Sequence, residues 1–152
     1  MMYKLGNNNW SSNIPTATNA GSYTVQFKTA ESANYLESPI SSTIITIAKA
    51  DPSYIAPSAK TLTYNTSEQT LLNAGSTNHG TIQYSSNNST WSTTIPTGTN
   101  VGTYTTYWKI TGDSNHKDKD SDSIKTTISA KVVSNPTITL SQGSYSYDGN
   151  AK

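Results

Sequence analysis

Three groups of side chains in this sequence have types and spacings that could do chemistry. The first is the run Asp113-Ser114-Asn115-His116-Lys117-Asp118-Lys119-Asp120-Ser121-Asp122. Asp118, Asp120 and Asp122 alternate as oxygen ligands do at the start of a calcium loop. An EF-hand loop counted from Asp118 also needs Gly at its sixth position and Glu at its twelfth. Ser123 and Ser129 stand there instead, and Lys117 and Lys119 would oppose a cation. The run is therefore expected to be a solvated loop, with Asp118, Asp120 and Asp122 as the candidate calcium set. The second group is His79 and His116, the only histidines. A zinc site or a catalytic triad would need them to converge with acids. His79 is expected before one strand and His116 in a later loop, so neither a metal site nor catalysis is expected of them. The third group is aromatic. Trp10, Trp91 and Tyr107 offer flat faces of the kind that stack on sugars, but Trp is highly buried on average. Trp10 and Trp91 are expected as core or sandwich-end anchors beside Ile14 and Ile95. Tyr107, on an outward strand face, is left as the candidate ligand-binding residue.

The elements that must position these residues follow from composition. The chain has 152 residues, no Cys and no Arg, and 25 Thr, 23 Ser and 15 Asn. Its formal charge of +1 is too balanced for a nucleic-acid or anionic-membrane binder. Without Arg there are no bidentate clamps on phosphate, and without Cys no disulfides or thiolate metal sites. No apolar run approaches the roughly 18 residues that span a bilayer, and no segment reads as a signal peptide. Thr, Tyr, Trp, Ile and Val suit a pleated, half-buried surface, and Ser, Asn, Gly and Pro suit turns. The composition fits short strands joined by many turns.

An internal repeat organises the chain. Residues 3–47 align without a gap to residues 84–128, at an offset of 81, with 17 of 45 pairs identical. The densest block is W-S-S-N-I-P-T-A-T-N-A-G-S-Y-T from Trp10, against W-S-T-T-I-P-T-G-T-N-V-G-T-Y-T from Trp91. Asn135-Pro136 and Tyr147-Asp148-Gly149 echo Pro52 and Tyr64-Asn65. The division expected is 1–50 as the later part of a first repeat, 51–131 as a complete repeat and 132–152 as the start of a third. In Tyr104 to Ile110, residues Tyr104, Thr106, Trp108 and Ile110 share one face, and Thr105, Tyr107 and Lys109 the other. Such alternation predicts a half-buried antiparallel strand. Tyr23, Val25 and Phe27 repeat it, and Thr43, Ile45 and Ile47 match Ile124, Thr126 and Ile128. Further strands are predicted over 61–64, 69–73 and 81–85, and Gly21 and Gly102 are expected to need positive φ or a close backbone approach. Six or seven short strands in about 80 residues predict an all-β fold of immunoglobulin-like antiparallel β-sandwich repeats.

The stretches L-T-Y-N from Leu62, G-T-I-Q-Y-S from Gly80, W-S-T-T-I-P-T-G-T-N-V-G-T-Y from Trp91 and T-G-D-S-N-H from Thr111 resemble bacterial immunoglobulin-like tandem repeats. Tyr147-Asp148-Gly149 is similar to the opening of related surface repeats. The resemblance implies a seven-stranded sandwich, a secreted or cell-surface setting and a spacer or adhesive role, with no catalytic residues and no cofactor. The partners it implies are neighbouring repeats of the same chain and a surface glycan or protein, with no nucleic acid and no membrane insertion. Stalk modules of this kind sometimes carry Lys–Asn isopeptide cross-links. Lys60, Lys109 and Lys125 fall on outward faces or strand ends, so no cross-link is expected here. The expected function is a non-enzymatic structural module that supports adhesion or display. The alternative is a carbohydrate- or host-surface-binding module that uses exposed aromatics.

Overall fold

The computed structural model describes residues 1–138, 143–144 and 146–151. Every regular element among them is a strand. β1 (Met2–Leu5), β2 (Gly21–Lys28) and β3 (Ser41–Ile47) form an antiparallel sheet in that order. Six two-residue strands follow: β4 (Tyr54–Ile55), β5 (Ser58–Ala59), β6 (Leu62–Thr63), β7 (Gln69–Thr70), β8 (Leu72–Asn73) and β9 (Ser76–Thr77). The last four are β10 (Gly80–Ser85), β11 (Thr97–Gly98), β12 (Gly102–Gly112) and β13 (Lys119–Ser129). β10, β12, β13 and β6 make the second sheet, and three two-stranded ladders (β11 with β7, β4 with β9, β5 with β8) lie beside it. The fold is all-β, with the sheet-on-cover layering of a β-sandwich.

The core lies between the second sheet and the segment 54–73. Trp108, Ile110, Ile128 and Tyr84 come from the sheet, and Leu71 and Leu72 come from the cover, with Leu62 and Tyr64 packed against them. The alternation predicted for Tyr104–Ile110 holds, since Thr106, Trp108 and Ile110 are buried while Thr105, Tyr107 and Lys109 are half-buried on the other face. The strands missed from sequence are β1, β4, β5, β9 and β11, and the last four, at two residues each, are too short to show a period.

Local geometry recurs at the sequence offset. Tyr23 Oη donates to Asn19 O at 2.7 Å, and Tyr104 Oη to Asn100 O at 2.8 Å. Gly21 pairs with Ile47 and Gly102 with Ile128. The hydroxyls of Ser22 and Thr46 lie 3.3 Å apart, and those of Thr103 and Thr127 3.1 Å. Gly21 and Gly102 have φ of 153° and 156°, a region that side chains rarely enter. The environment differs between the two places. The inner face of the second sheet is covered, whereas Ile45 on the first and Ile14 in the segment between β1 and β2 are 53% and 73% exposed. No strand is assigned among the described residues of 132–152, and residues 139–142, 145 and 152 lie outside the description.

Two buried threonines on this inner face make opposite predictions. Thr126 Oγ1 donates to Leu71 O at 3.0 Å, tying sheet to cover. Thr106 is 0% exposed and its hydroxyl has no hydrogen-bond partner. A buried hydroxyl without a partner costs roughly 1–3 kcal/mol. Val25 stands at the corresponding position of the first sheet. Thr106→Val should therefore raise stability by about 1 kcal/mol, and Thr126→Val should lower it by about 1 kcal/mol. Urea unfolding of both variants checks the pair, and a loss of stability in Thr106→Val would contradict the assignment.

Candidate functional site

The loop 113–118 is where the chemistry-bearing residues meet, and it joins the two sheets. Gly112 N donates to Asp118 Oδ1 at 2.8 Å, and Asn115 N to Asp113 Oδ1 at 2.8 Å, so two carboxylates close the loop on its own backbone. The linker after β3 lies against this loop. Ala50 N donates to Asn115 O at 3.0 Å, and Lys117 N to Ala50 O at 2.8 Å. Lys49 Nζ donates to Asp113 O at 3.0 Å, and Lys117 pairs with Asp51 at 3.0 Å. The Asn115 side chain reaches back to the first sheet. Its Oδ1 accepts from Ala20 N at 2.8 Å, and its Nδ2 donates to Asn19 Oδ1 at 3.2 Å. The turn that enters β2 is thereby tied to the turn that leaves β12.

His79 and His116 do converge, which sequence spacing alone did not indicate. Their rings stack with centroids 4.0 Å apart and planes 17° from parallel. His116 Nδ1 lies 2.7 Å from Asp113 Oδ1. An ionised carboxylate only accepts, so that nitrogen carries the proton. His79 Nδ1 accepts from Ser53 N at 3.1 Å, so its proton sits on Nε2. Imidazole lone pairs lie in the ring plane, and two nearly parallel rings with centroids 4.0 Å apart do not aim them at one point. The pair is a packing contact that continues from the linker into β10. The His116 hydrogen bond, followed by that from the Asn115 amide, holds the Asp113 carboxyl below the usual carboxylate range. A lowered value means that this contact contributes above the usual range, about pH 4, and is lost as pH falls through the lowered value.

The acidic run is not one loop. β13 begins at Lys119, so Asp120 and Asp122 belong to a strand, and only 113–118 is loop. The reason is register: Trp108 pairs with Asp122 and Ile110 with Lys119, so a bulge carries the ladder through the charged residues. The candidate calcium set is spread accordingly. Asp118 accepts from Gly112 N, Asp122 Oδ1 accepts from Ser123 N at 2.8 Å, and Lys119 Nζ lies 4.0 Å from Asp122 Oδ2. No group of three or more metal-ligating side chains occurs among the described residues.

Of the two anchoring places expected for Trp91, the core is not the one it takes. Trp91 is half-buried and lies under Lys109 Nζ, 4.5 Å from the ring centroid, on the outer face of β12. Trp10 does the same under Lys28 at 4.8 Å. The quadrupole of the indole face attracts the ammonium, so an exposed sheet face holds a large ring without burying it. Tyr107 is half-buried on this face, opposite Ser85 on one side and Ser123 on the other. Lys60 Nζ donates to the Thr70 hydroxyl, and Lys109 is the cation over Trp91.

Comparison with family models, with curated proteins and with solved structures finds no match to the chain. The geometry of the joint leads to a prediction of its own. Asn115→Ala removes both side-chain bonds to the first sheet and leaves the core untouched. Backbone NMR relaxation should then give the two sheets separate tumbling behaviour, with stability changed by no more than about 1–2 kcal/mol. Unaltered joint tumbling would show that the linker contacts at Ala50 suffice.

Proposed function

We propose that the chain is a non-enzymatic structural module of a bacterial surface or secreted repeat protein. It is built from immunoglobulin-like units of about 80 residues and sets the spacing of whatever it carries. The observation that carries this reading is the pairing of recurrent geometry with a fixed joint. The same tyrosine-to-turn bond, hydroxyl pair and Lys-on-Trp contact occur twice at one offset. Asn115 then holds one set against the other. A spacer needs stiffness between units, and this contact supplies it at the linker.

The glycan-binding alternative needs aromatic faces presented together. Trp108 is in the core, Trp91 is capped by Lys109, and Tyr107 is half-buried. The spacer reading is tested by small-angle scattering and by titration calorimetry against panels of glycans and host-surface proteins. The expected result is an elongated particle of fixed length with no saturable binding. Micromolar binding that Tyr107→Ala abolishes would replace the spacer reading with the binding one.

A further inference from the structure

We propose that His79 makes the joint between the two sheets pH-sensitive: neutral, it seats the linker and the loop 113–118 on the corner between β9 and β10, and protonated, it unseats them. The side chain stands between these two segments and holds each by a different group. Its Nδ1 accepts from Ser53 N at 3.1 Å, which ties it to the linker that follows β3. Its ring stacks on His116 with centroids 4.0 Å apart, which ties it to the loop that carries Asn115. The corner itself is fixed. His79 N donates to Thr77 Oγ1 at 3.0 Å, that hydroxyl donates to Ser53 O at 2.9 Å, and the next residue, Gly80, pairs with Gly112. The imidazole is therefore a rigid seat, and its charge decides whether the two segments stay on it.

Protonation reverses both contacts. A proton on His79 Nδ1 turns the acceptor into a donor that faces the Ser53 N–H, and two donors repel. Ser53 is then held through its carbonyl alone, by Thr77. The stack changes as well. His116 keeps its bond to Asp113 in either charge state, because its Nδ1 donates in both. With both rings charged, two cations face each other at 4.0 Å, and Asp113 neutralises only one of them. The other charged groups of the joint are engaged elsewhere. Lys117 pairs with Asp51, Lys49 Nζ donates to Asp113 O, and Asp118 accepts from Gly112 N. Lys119 Nζ, at the start of β13, lies over the Tyr54 and Trp108 rings. Asp51, Asp113 and Asp118 are thus committed to other partners, and a charge on His79 gains none of them.

Imidazole is the side chain that ordinarily changes charge between pH 5 and 8. Ordinary carboxylates and ammonium groups keep their charge across that window. Asp113 keeps its own, since the His116 bond, and then the Asn115 amide, hold its carboxyl below the usual range. A change in the joint between pH 8 and pH 5 therefore belongs to the histidines, and its direction is fixed: the seat is present while His79 is neutral and is lost as pH falls. The device stands on the contacts of the joint and not on the spacer reading. In a spacer it makes the stiffness between units depend on pH.

Amide hydrogen exchange and backbone relaxation of the full chain at pH 8 and pH 5 test the proposal, with the His79 ring resonances reporting its charge. In the wild type the protection factor of the Ser53 amide should fall about fivefold at pH 5, the size of one ordinary hydrogen bond. The two sheets should tumble together at pH 8 and separately at pH 5. Two variants lock the ends of this range. In His79→Asn an amide oxygen stands in the place of Nδ1 and does not titrate, so the behaviour of pH 8 should persist at pH 5. In His79→Phe a flat ring remains without an acceptor or a charge, so the Ser53 amide should be weakly protected at both pH values. His79 is half-buried and lies outside the core cluster, so the strand signal in circular dichroism should be unchanged in both. A wild type that behaves alike at the two pH values overturns the proposal, whether or not the ring takes up its proton. A pH 5 change that persists in His79→Asn or in His79→Phe overturns it too, and assigns the effect to His116. None of these readings depends on scattering or on ligand binding, so the spacer reading can fail while the pH response stands.

Discussion

Trp108→Ala is expected to lower the free energy of unfolding by about 3–5 kcal/mol, the range for deleting a buried aromatic ring. Trp108 is 3% exposed, and four kinds of contact meet on it. It lies in the cluster of Leu71, Leu72, Ile110 and Ile128, and the Tyr54 ring packs against it with centroids 5.5 Å apart and planes at 65°. Lys119 Nζ stands 4.4 Å from the ring centroid, and the backbone pairs with Tyr84 and Asp122. Removing the ring strands the leucines of the cover over a void that the sheet cannot close, because β10 and β13 fix its width on both sides. Small domains hold only about 5–15 kcal/mol in total, so the loss is a large fraction of the stability. Phe27 is the internal control. It occupies the matching place on the first sheet but lines an open hollow and is only half-buried. Phe27→Ala should cost about 1 kcal/mol, since less transfer free energy is lost and no closed cavity forms. Guanidinium unfolding of the two variants, side by side, separates a covered face from an open one. Equal losses would mean that the faces are equivalent in solution.

The difference between these twins shows what could be read from the sequence. Alternation over Tyr104–Ile110 and Tyr23–Phe27 assigns faces correctly, because long strands with one apolar side carry a period of two. Whether a face is covered depends on segments that pair across dozens of residues, and β4, β5 and β9 hold two residues each, too few for any period. Trp91 lies outside the core for a chemical reason. Bulk and low polarity suggest burial, yet an indole can also lie on an outer face beneath a lysine, and the Lys109 that caps it is eighteen residues away. The charged stretch from Lys119 reads as loop because its composition is that of loops. It becomes strand because β12 is long enough to keep pairing with it. Asn115 was visible as an identity with Asn34 in the repeat, but its partners at Asn19 and Ala20 lie 96 and 95 residues away. No local pattern encodes a contact of that range. His79 and His116 met for the same reason, brought together by the β10–β12 pairing that also places Gly80 against Gly112.

That glycine pair is the most sensitive point of the joint. Gly80→Ala is expected to cost about 3 kcal/mol, combining backbone strain with overpacking. Gly80 has φ of 130°, where side chains are strained whatever space surrounds them. A Cβ there would press deep into the Thr111 carbonyl oxygen and stand 2.8 Å from Gly112 Cα. Neither neighbour is a flexible side chain that can swing away, so the end of β12 must move. Gly112 N is held by Asp118, and the loop that follows carries Asn115, so the displacement should pass to the bonds at Asn19 and Ala20. Gly102→Ala isolates the conformational part. Gly102 has φ of 156°, but a Cβ there would meet nothing within 4 Å, so its cost should be about half as large. Unfolding midpoints measure the two costs, and the amide shift of Ala20 reports the joint. Gly80→Ala should move that resonance and Gly102→Ala should leave it in place. If both variants left it unmoved while Gly80→Ala lost the stability expected, the β10–β12 end and the first sheet would be mechanically independent, and the loop would not transmit position between the sheets.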